Sequence, residues 1–583
     1  MEGLDRLGIA RALREMARLL DLAGDEAFKA RAYARGATVL EGIDDLTFER
    51  LLSEERLTAL QGIGAGLAAR ITELRRTGRA GALETLRAQL PPGASELARL
   101  GLPLAKIAAI HRALGVETIA DLRTAAEAGR VRAVTGIGPK TEARILETIR
   151  RLEAPVAEPA GARVLLAQAF DAADPVLAHL RSAPGVTAAE LAGDLRRGVE
   201  MVDRVDVVVA STTPAAARMH ALAMPGVLSV SESGPTAYRA VLDSGLPLDV
   251  RVTLPDQHAA TLLHATGSSA HLTHLARLAE GRGLHLARAG LSRAADGRPL
   301  AARDEEDLYG YLGLPFIAPE LREDEGEIEA ALEGRLPDDL VEAADVRGLV
   351  HCHTVYSDGR NTVAEMAAAA DALGMAYLTI TDHSPAASYA GGLPVDRLRA
   401  QWDEIGRVQE TVSVRLLRGT ECDILADGAL DYPDAVLEQL DVIIASVHQR
   451  HRLGREEMTR RLSRAMAHPC FKIWGHALGR LIPSRPPIDV DVEAVLDVAA
   501  GSRVAIEING DPHRLDMAPR WLRAARERKL SFVISTDAHA VGELGNLRYG
   551  VTMARRGWVR RVEVLNTLDA AGFARAVAPM AVR

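Results

Sequence analysis

Seven times between residues 347 and 539, a short apolar run ends in residue types that bind metal ions. The runs are Arg347–His353 (RGLVHCH), Ala376–His383 (AYLTITDH), Val414–Glu421 (VRLLRGTE), Asp441–His448 (DVIIASVH), Phe471–His476 (FKIWGH), Val504–Asn509 (VAIEIN) and Ser531–His539 (SFVISTDAH). Parallel strands buried on both faces read as continuous Val/Ile/Leu runs, and in barrels the functional groups gather where such strands end. Seven such endings by accident are improbable. The C-terminal third is therefore expected to form a barrel with a multi-metal site at its mouth.

The candidate ligands have a physical logic. His351 and His353, two apart on an expected strand, would project from one face. Asp358 follows in a polar SDG turn, and His383, His448 and His476 each close a run. Glu421 has two oxygens to share between ions. Asp537 and His539 repeat the two-residue spacing. Imidazoles with carboxylates suit Zn²⁺, Mn²⁺ or Fe, not Ca²⁺ alone. A single histidine at a strand end is more often an ordinary hydrogen-bonded residue, but nine suitable residues so placed favour a metal centre. Cys352 is expected to face the core, and Asp382 to orient a histidine. Clustered divalent ions lower the pKa of a bound water and neutralise charge on phosphoryl oxygens, so no nucleophilic side chain is needed. Arg514 and Arg480, just beyond barrel strands, are candidate phosphate clamps.

At 583 residues the chain is too long for one core. It has 48% hydrophobic and 26% charged residues, the balance of a soluble globular protein. No basic start precedes an apolar core and no apolar stretch approaches 18 residues, so neither a signal peptide nor a membrane span is expected. The three cysteines form no CxxC, which suits a reducing cytoplasm and not a cysteine zinc finger. A net charge of −9 does not exclude nucleic acid, because phosphate binding depends on local charge. Residues 1 to about 150 carry helical spacing, interrupted at Gly62-Ile63-Gly64 and Gly136-Ile137-Gly138. Glycines in such turns let consecutive N–H groups and a helix start meet a phosphate. Residues 152–162 read as a Pro/Ala linker. Strands and helices then alternate to about 255, with Val205–Ala210 and Pro247–Thr253 as strands. A helical stretch near 256–290 follows, an acidic segment leads into the barrel, and a helix near 562–576 closes it.

HCHTVYSDG, TDHS, GTECDIL, ASVH, GH and STDAH resemble the signatures of the PHP (polymerase and histidinol phosphatase) domain. The resemblance implies a seven-stranded (β/α) barrel that cleaves phosphoesters with three metal ions. His351, His353, Glu421 and Asp537 would hold the first ion, Glu421, His448 and His476 the second, and Asp358, His383 and His539 the third. The two Gly-x-Gly turns resemble helix-hairpin-helix DNA-binding motifs. With AFKARAYARGA, AGDLRRGVEMVDRVDVV, TGSSAH and LGLPFIAPELRE, the whole chain resembles bacterial family X DNA polymerases of the PolX type. That implies a multidomain α and α/β chain: an 8-kDa-like helical domain (1–80), fingers (81–155), palm (156–255), thumb (256–325), linker (326–340) and PHP barrel (341–583). The family's roles are gap filling and Mn²⁺-dependent 3′→5′ exonuclease work in base excision repair. Expected cofactors are three divalent ions in the barrel (Mn or Zn, or Fe) and Mg or Mn at the palm if it is active. The expected partners are gapped or 3′-ended DNA, with dNTP if the palm works, and no membrane. The chain is expected to be a cytoplasmic, nucleoid-associated monomer.

The polymerase half departs from the family at its chemistry. Asp206 and Asp249 are candidate catalytic carboxylates, but the first Asp-x-Asp position is Arg204, and a third ligand would have to be Glu200 or Asp203. Asp203 points away from Asp206 on a strand unless a bulge intervenes. Asp194 stands where the family has serine, His264 and Ala265 replace an aromatic pair, and Ser269 replaces a basic residue. The Schiff-base lysine of DNA polymerase beta relatives aligns with Arg70, whose pKa is too high for amine catalysis. Lys29, Gly62, Gly64, Gly136, Gly138, Arg197 and Arg480 are the expected DNA or phosphate contacts, and Arg514 a catalytic one. The reading is a 3′ exonuclease with a weak or Mn²⁺-only polymerase. Its rivals are a full gap-filling polymerase, a non-catalytic DNA-end scaffold and a small-molecule phosphatase.

Overall fold

The computed structural model describes residues 163–580 except 234 and 235. In the N-terminal part it describes residues 4–77 and 104–146, apart from 5, 24–26, 42–44, 55, 61–62, 136, 140 and 143–144. The chain parts into two compact units, Met1–Pro159 and Ala160–Arg583. The expected linker at 152–162 lies outside the described residues, as do Gly62 and Gly136.

The first unit is helical where described. Helices Arg6–Ala23, Ala27–Glu41, Asp45–Ser53 and Ala65–Thr77 share a core of Ile9, Leu13, Met16, Leu40, Phe48, Ile71 and Leu74. Leu104–Leu114 and Ile119–Glu127 pack around Ile107, Ile110, Leu122 and Val131. Thr118 caps the second of these with a capping box to Asp121, satisfying donors that a helix start leaves orphaned.

In the second unit, β1 (Val164–Leu165) pairs with β3 (Met201–Val202), and β2 (Val186–Ala192), β4 (Val205–Ser211), β5 (Val227–Ser233), β6 (Ala237–Leu242) and β7 (Pro247–Thr253) form a sheet in the order β2-β4-β7-β6-β5. β4 and β7 run parallel, with Asp206 directly opposite Asp249. Helices His258–Thr266 and Ser269–Gly281 follow, then a small antiparallel sheet of β8 (Leu284–Ala287), β9 (Gly290–Arg293) and β10 (Pro299–Leu300). The stretch expected to be helical to 290 thus turns to strand after Gly283, whose φ of 68° breaks the helix. Leu263, Leu275, Leu308, Tyr309, Leu312 and Ile317 form the local core.

The barrel runs β11 (Gly348–Leu349), β12 (Tyr377–Ile380), β13 (Arg415–Asp423), β14 (Val442–Ser446), β15 (Ile473–Trp474), β16 (Ala505–Asn509) and β17 (Phe532–Ser535), parallel throughout and in sequence order. All seven apolar runs supply a strand. Between the first and last strands the ring is closed by backbone bonds, Thr536 N–H to Val350 C=O (3.2 Å) and His353 N–H to Ala538 C=O (2.8 Å), and by a side chain. Asn566 donates from Nδ2 to the carbonyls of Gly348 (3.1 Å) and Ile534 (2.8 Å), and its Oδ1 accepts from Ile534 N–H at 3.0 Å. Helix Ala570–Val577 closes the end where strands begin, stacking Phe573 on Tyr377 with centroids 5.0 Å apart. Burying a ring of this kind contributes roughly 1.5–3 kcal/mol. The ligand residues occupy the opposite end.

Candidate metal centre

All nine candidate ligands of the barrel meet at its mouth. Glu421, on β13, organises them with its two oxygens. Its Oε1 lies 3.1 Å from His448 Nε2 and 2.7 Å from His476 Nε2. Its Oε2 lies 3.4 Å from His351 Nε2, 3.6 Å from His353 Nε2 and 3.0 Å from His383 Nδ1. Asp537 Oδ1 faces His351 Nε2 (3.5 Å) and His353 Nε2 (3.4 Å). Asp358 sits nearer the rim, 3.5 Å from both His383 Nε2 and His539 Nε2 and 3.7 Å from His353 Nδ1. Three groups result, each with ligand atoms within 4.8 Å of one another: His351/His353/Asp537, His353/Asp358/His383/His539 and His383/Glu421/His448.

The donor set fits divalent ions. His351 Nε2, both ring nitrogens of His353 and His476, His383 Nδ1 and Glu421 Oε1 are buried without a hydrogen-bond partner. Buried polar atoms normally find one, and imidazoles and carboxylates converging in this way are the ligands such ions take. Burial, reinforced by the neighbouring histidines, holds His353 down to about 3, so its ring is neutral and keeps a lone pair. Glu421 is held well below the usual carboxylate range despite its burial, because four imidazoles surround it.

The convergence is not achieved as strand alternation suggests. β11 ends at Leu349 and β17 at Ser535, before the ligands. His351 (φ 65°), His476 (φ 21°) and Asp537 (φ 50°) instead turn inward through left-handed backbone, a costly conformation for residues with a Cβ that collects at functional sites. Cys352 is fully buried in the core, as expected, and bridges to Ala538.

Asp382 does not orient a histidine. It accepts from Thr354 N–H (2.8 Å), Thr354 Oγ1 (2.7 Å), Ser357 and Gln401, and so fixes the turn that presents Asp358. The orienting carboxylate is Glu507 on β16, which sequence reasoning missed. Its Oε1 lies 2.5 Å from His351 Nδ1 and its Oε2 accepts from His476 N–H, leaving His351 Nε2 for the centre. The available signal was the two-residue spacing of Glu507 and Asn509 in VAIEIN. Asp423 lies 3.3 Å from His448 Nδ1.

The two expected clamps part company. Arg514 sets Nε 3.0 Å from Asp537 Oδ2 and leaves Nη1 buried without a partner. Arg480 is committed elsewhere: its Nη2 and Nη1 bond Glu200 at 2.8 and 3.2 Å, and Nε donates to Arg514 C=O at 2.8 Å. It ties the barrel to the segment before β4 and has no free fork for phosphate. Arg197 is likewise spent, on Asp194 (2.5 Å), Glu323 (3.0 Å) and Thr266 C=O (2.7 Å).

On the five-stranded sheet, Asp206 and Asp249 are neighbours, as their catalytic candidacy requires. Each further carboxylate has a cation: Asp194 has Arg197, Glu200 has Arg480, and Asp203 has Arg204 at 3.2 Å. Asp249 itself has Arg239 at 3.3 Å and Arg251 at 3.7 Å. Asp206 and Asp249 thus sit among several guanidiniums, and among the described residues all clusters of three or more metal-type side chains lie in the barrel.

The two hairpins are built alike. Ile63 and Ile137 are buried and Gly64 and Gly138 exposed. The Gly64 carbonyl starts the next helix by accepting from Ala68 N–H (2.9 Å), as that of Gly138 does from Glu142 N–H (3.1 Å). A Cβ at either glycine would meet nothing within 4 Å, so both backbones are open to an approaching group. Lys29 is exposed on helix Ala27–Glu41. No described helix is long and apolar enough to cross a membrane.

Known proteins share these parts. Family matches cover a helix-hairpin-helix domain at residues 6–80, a SAM-like helix-hairpin-helix tandem at 104–151, a DNA polymerase beta thumb at 261–323 and a PHP domain at 350–510. The chain is 34% identical over 564 residues, 96% of each chain, to the DNA polymerase/3′-5′ exonuclease PolX of Bacillus subtilis. It is 27% identical over 229 residues (37% of this chain, 85% of the relative) to a probable phosphatase of Caldanaerobacter subterraneus. A probable phosphatase of Clostridium acetobutylicum is 28% identical over 207 residues, 34% of this chain and 80% of its own.

Proposed function

Since this chain belongs to the PolX family of DNA polymerase/3′-5′ exonucleases, we propose that its barrel hydrolyses phosphodiesters at DNA 3′ ends while its palm retains weak or Mn²⁺-only synthesis. The observation that carries the reading is Glu421, whose two oxygens divide between two sets of imidazoles. His351, His353, Asp537 and Glu421 Oε2 would hold one ion, Glu421 Oε1, His448 and His476 a second, and Asp358, His383 and His539 a third. Mn or Zn, or Fe, suits these donors. Such ions, when bound, supply a water of lowered pKa and offset phosphoryl charge. Arg514 contributes the fixed cation: Asp537 anchors its Nε, and its unpartnered Nη1 is available to a non-bridging phosphate oxygen. Glu507 keeps His351 in register.

The open glycine turns and Lys29 would grip the backbone of gapped or 3′-ended DNA irrespective of sequence. Weak synthesis is supported by the crowding of Asp206 and Asp249 with guanidiniums and by the pairing of every candidate third carboxylate. We place the protein in the cytoplasm, with the nucleoid, as a monomer in base excision repair. The test is His353→Ala on an end-labelled gapped duplex supplied with Mn²⁺. Hydrolysis should fall at least 10²-fold, and unchanged degradation would remove the barrel as the active centre. Robust Mg²⁺-driven gap filling on the same duplex would overturn the weak palm. A second reading, phosphomonoester hydrolysis, is favoured only by the probable phosphatases that match the barrel. Failure to retard gapped DNA in a gel would support it.

A further inference from the structure

The barrel mouth carries one aromatic side chain that the metal centre does not use. Tyr389 is 69% exposed, the most exposed aromatic residue among those described. It belongs to a chain with only 3% aromatic residues, so a ring left in water at this spot calls for a reason. Its centroid lies 6.2 Å from the ring of His383 and 6.3 Å from that of His448. It therefore stands on the rim, beside two of the imidazoles that face Glu421.

The segment that carries it is firmly held. Leu393 N–H donates to His383 C=O at 2.8 Å, closing the loop at its base, and Ala390 N–H donates to Ala387 C=O at 3.0 Å. Ala386 N–H donates to Asp431 at 2.7 Å, and the Gln449 amide donates to Ala386 C=O at 2.7 Å. Gly391 takes a left-handed turn (φ 71°), and Gly392 lies so close to Ser384 C=O that a Cβ would collide. An ordered loop thus presents the ring at a fixed place. Arg514, with its buried and unpartnered Nη1, stands by Asp537, one of the residues that converge at the same mouth. The mouth therefore offers both a cation and an aromatic face beside the candidate metal centre.

We propose that Tyr389 stacks on the base of the terminal nucleotide while Arg514 holds its phosphate, so that the barrel prefers nucleotide ends to phosphoesters lacking a base. This rests on the hydrolysis of 3′ ends proposed above and names how that site recognises its substrate. Every base has a π-face, so an aromatic platform is sequence-tolerant. Tyr389 would select for a base without selecting which base.

The test compares two single-stranded oligonucleotides, one ending in a 3′ thymidine and one in a 3′ abasic tetrahydrofuran residue, each digested by the full-length protein with Mn²⁺. The parent protein should favour the thymidine end in kcat/KM by about 5- to 160-fold, the range that stacking one base supplies, with the difference in KM. Tyr389→Ala and Tyr389→Leu should both collapse the ratio toward one by raising KM for the thymidine end. Tyr389→Phe and Tyr389→Trp should preserve it, which a role in loop folding or in the hydroxyl would not. A parent that cuts both ends equally, or a Leu variant that keeps the ratio, would overturn the assignment of Tyr389. A parent that cuts neither end would overturn the exonuclease reading, and the stacking role with it.

Discussion

Glu421 shows how much one residue decides. A carboxylate with oxygens facing opposite imidazole sets can join ions that no histidine could join alone. Glu421→Gln keeps size and loses charge, so bound metal per chain should fall by at least one ion and hydrolysis by 10²-fold or more, as elemental analysis and end-labelled digestion would record. Glu507→Gln should be milder, on the order of 10-fold in metal affinity, because it loosens the register of His351 without removing a ligand. Asp206 yields a prediction about stability. Burial, and Asp249 beside it, push its carboxyl up to about 7 against the pull of Arg204 and Arg251. A carboxyl raised above its ordinary value of 3.8 holds a proton in the folded state that the unfolded chain has released, so stability is full below about pH 4 and is lost as pH rises to about 7. Asp206→Asn, in chelator, should therefore match the parent near pH 4 and exceed it at pH 8 by on the order of 1–3 kcal/mol. Equal melting temperatures at pH 8 would refute this. The nine residues that converge at the barrel mouth were legible as candidates, because histidine and carboxylate at the end of apolar runs have few other uses. Arg480 and Arg197 were not, since a surface-like arginine gives no sign of the glutamate that will claim it.

Among the elements, the barrel strands were read from their apolar runs, but their ends were not. The sequence pattern carries strand alternation past Leu349 and Ser535, whereas the backbone turns left-handed at His351 and Asp537. The departure is local strain imposed by converging ligands, invisible to hydrophobic periodicity. Barrel closure was equally hidden, because beside the backbone bonds from Thr536 and Ala538 to Val350 and His351 it uses Asn566, a polar residue beyond the last strand. Asn566→Ala would leave Ile534 N–H and C=O and the Gly348 carbonyl buried and unpaired, at about 1–3 kcal/mol for each unsatisfied group. The expected loss is about 3 kcal/mol or more by denaturant unfolding of the barrel, with faster amide exchange at Ile534. A loss under 1 kcal/mol would show that the gap closes without the side chain.

Over the whole second unit, arginine–carboxylate pairs bind the barrel to what precedes it. Arg480 reaches Glu200, Arg556 reaches the Arg197 carbonyl (2.8 Å) and Glu323 (3.2 Å), and Arg555 reaches Glu320 at 2.6 Å. Exposed pairs are worth little, but these are partly buried and linked, and breaking one strands its partner. Glu200→Gln with Glu323→Gln should therefore speed proteolytic cleavage of the region between Ala160 and Leu340 severalfold while the barrel core stays intact. Equal cleavage rates would show that apolar contact alone holds the parts. The chain's alternating patterns and residue types by themselves determined a helical start, a stretch of alternating strands and helices, a parallel barrel and which residues are candidates to hold metal, because hydrophobic period and ligand chemistry are local properties. Which arginine keeps an unpartnered Nη1 and which meets glutamate, which carboxylate steadies His351, and which guanidiniums crowd Asp206 and Asp249 were decided only by tertiary structure. Those outcomes depend on which charges folding brings within a few ångströms, and residues such as Arg480 and Glu200, 280 positions apart, carry no trace of each other along the chain.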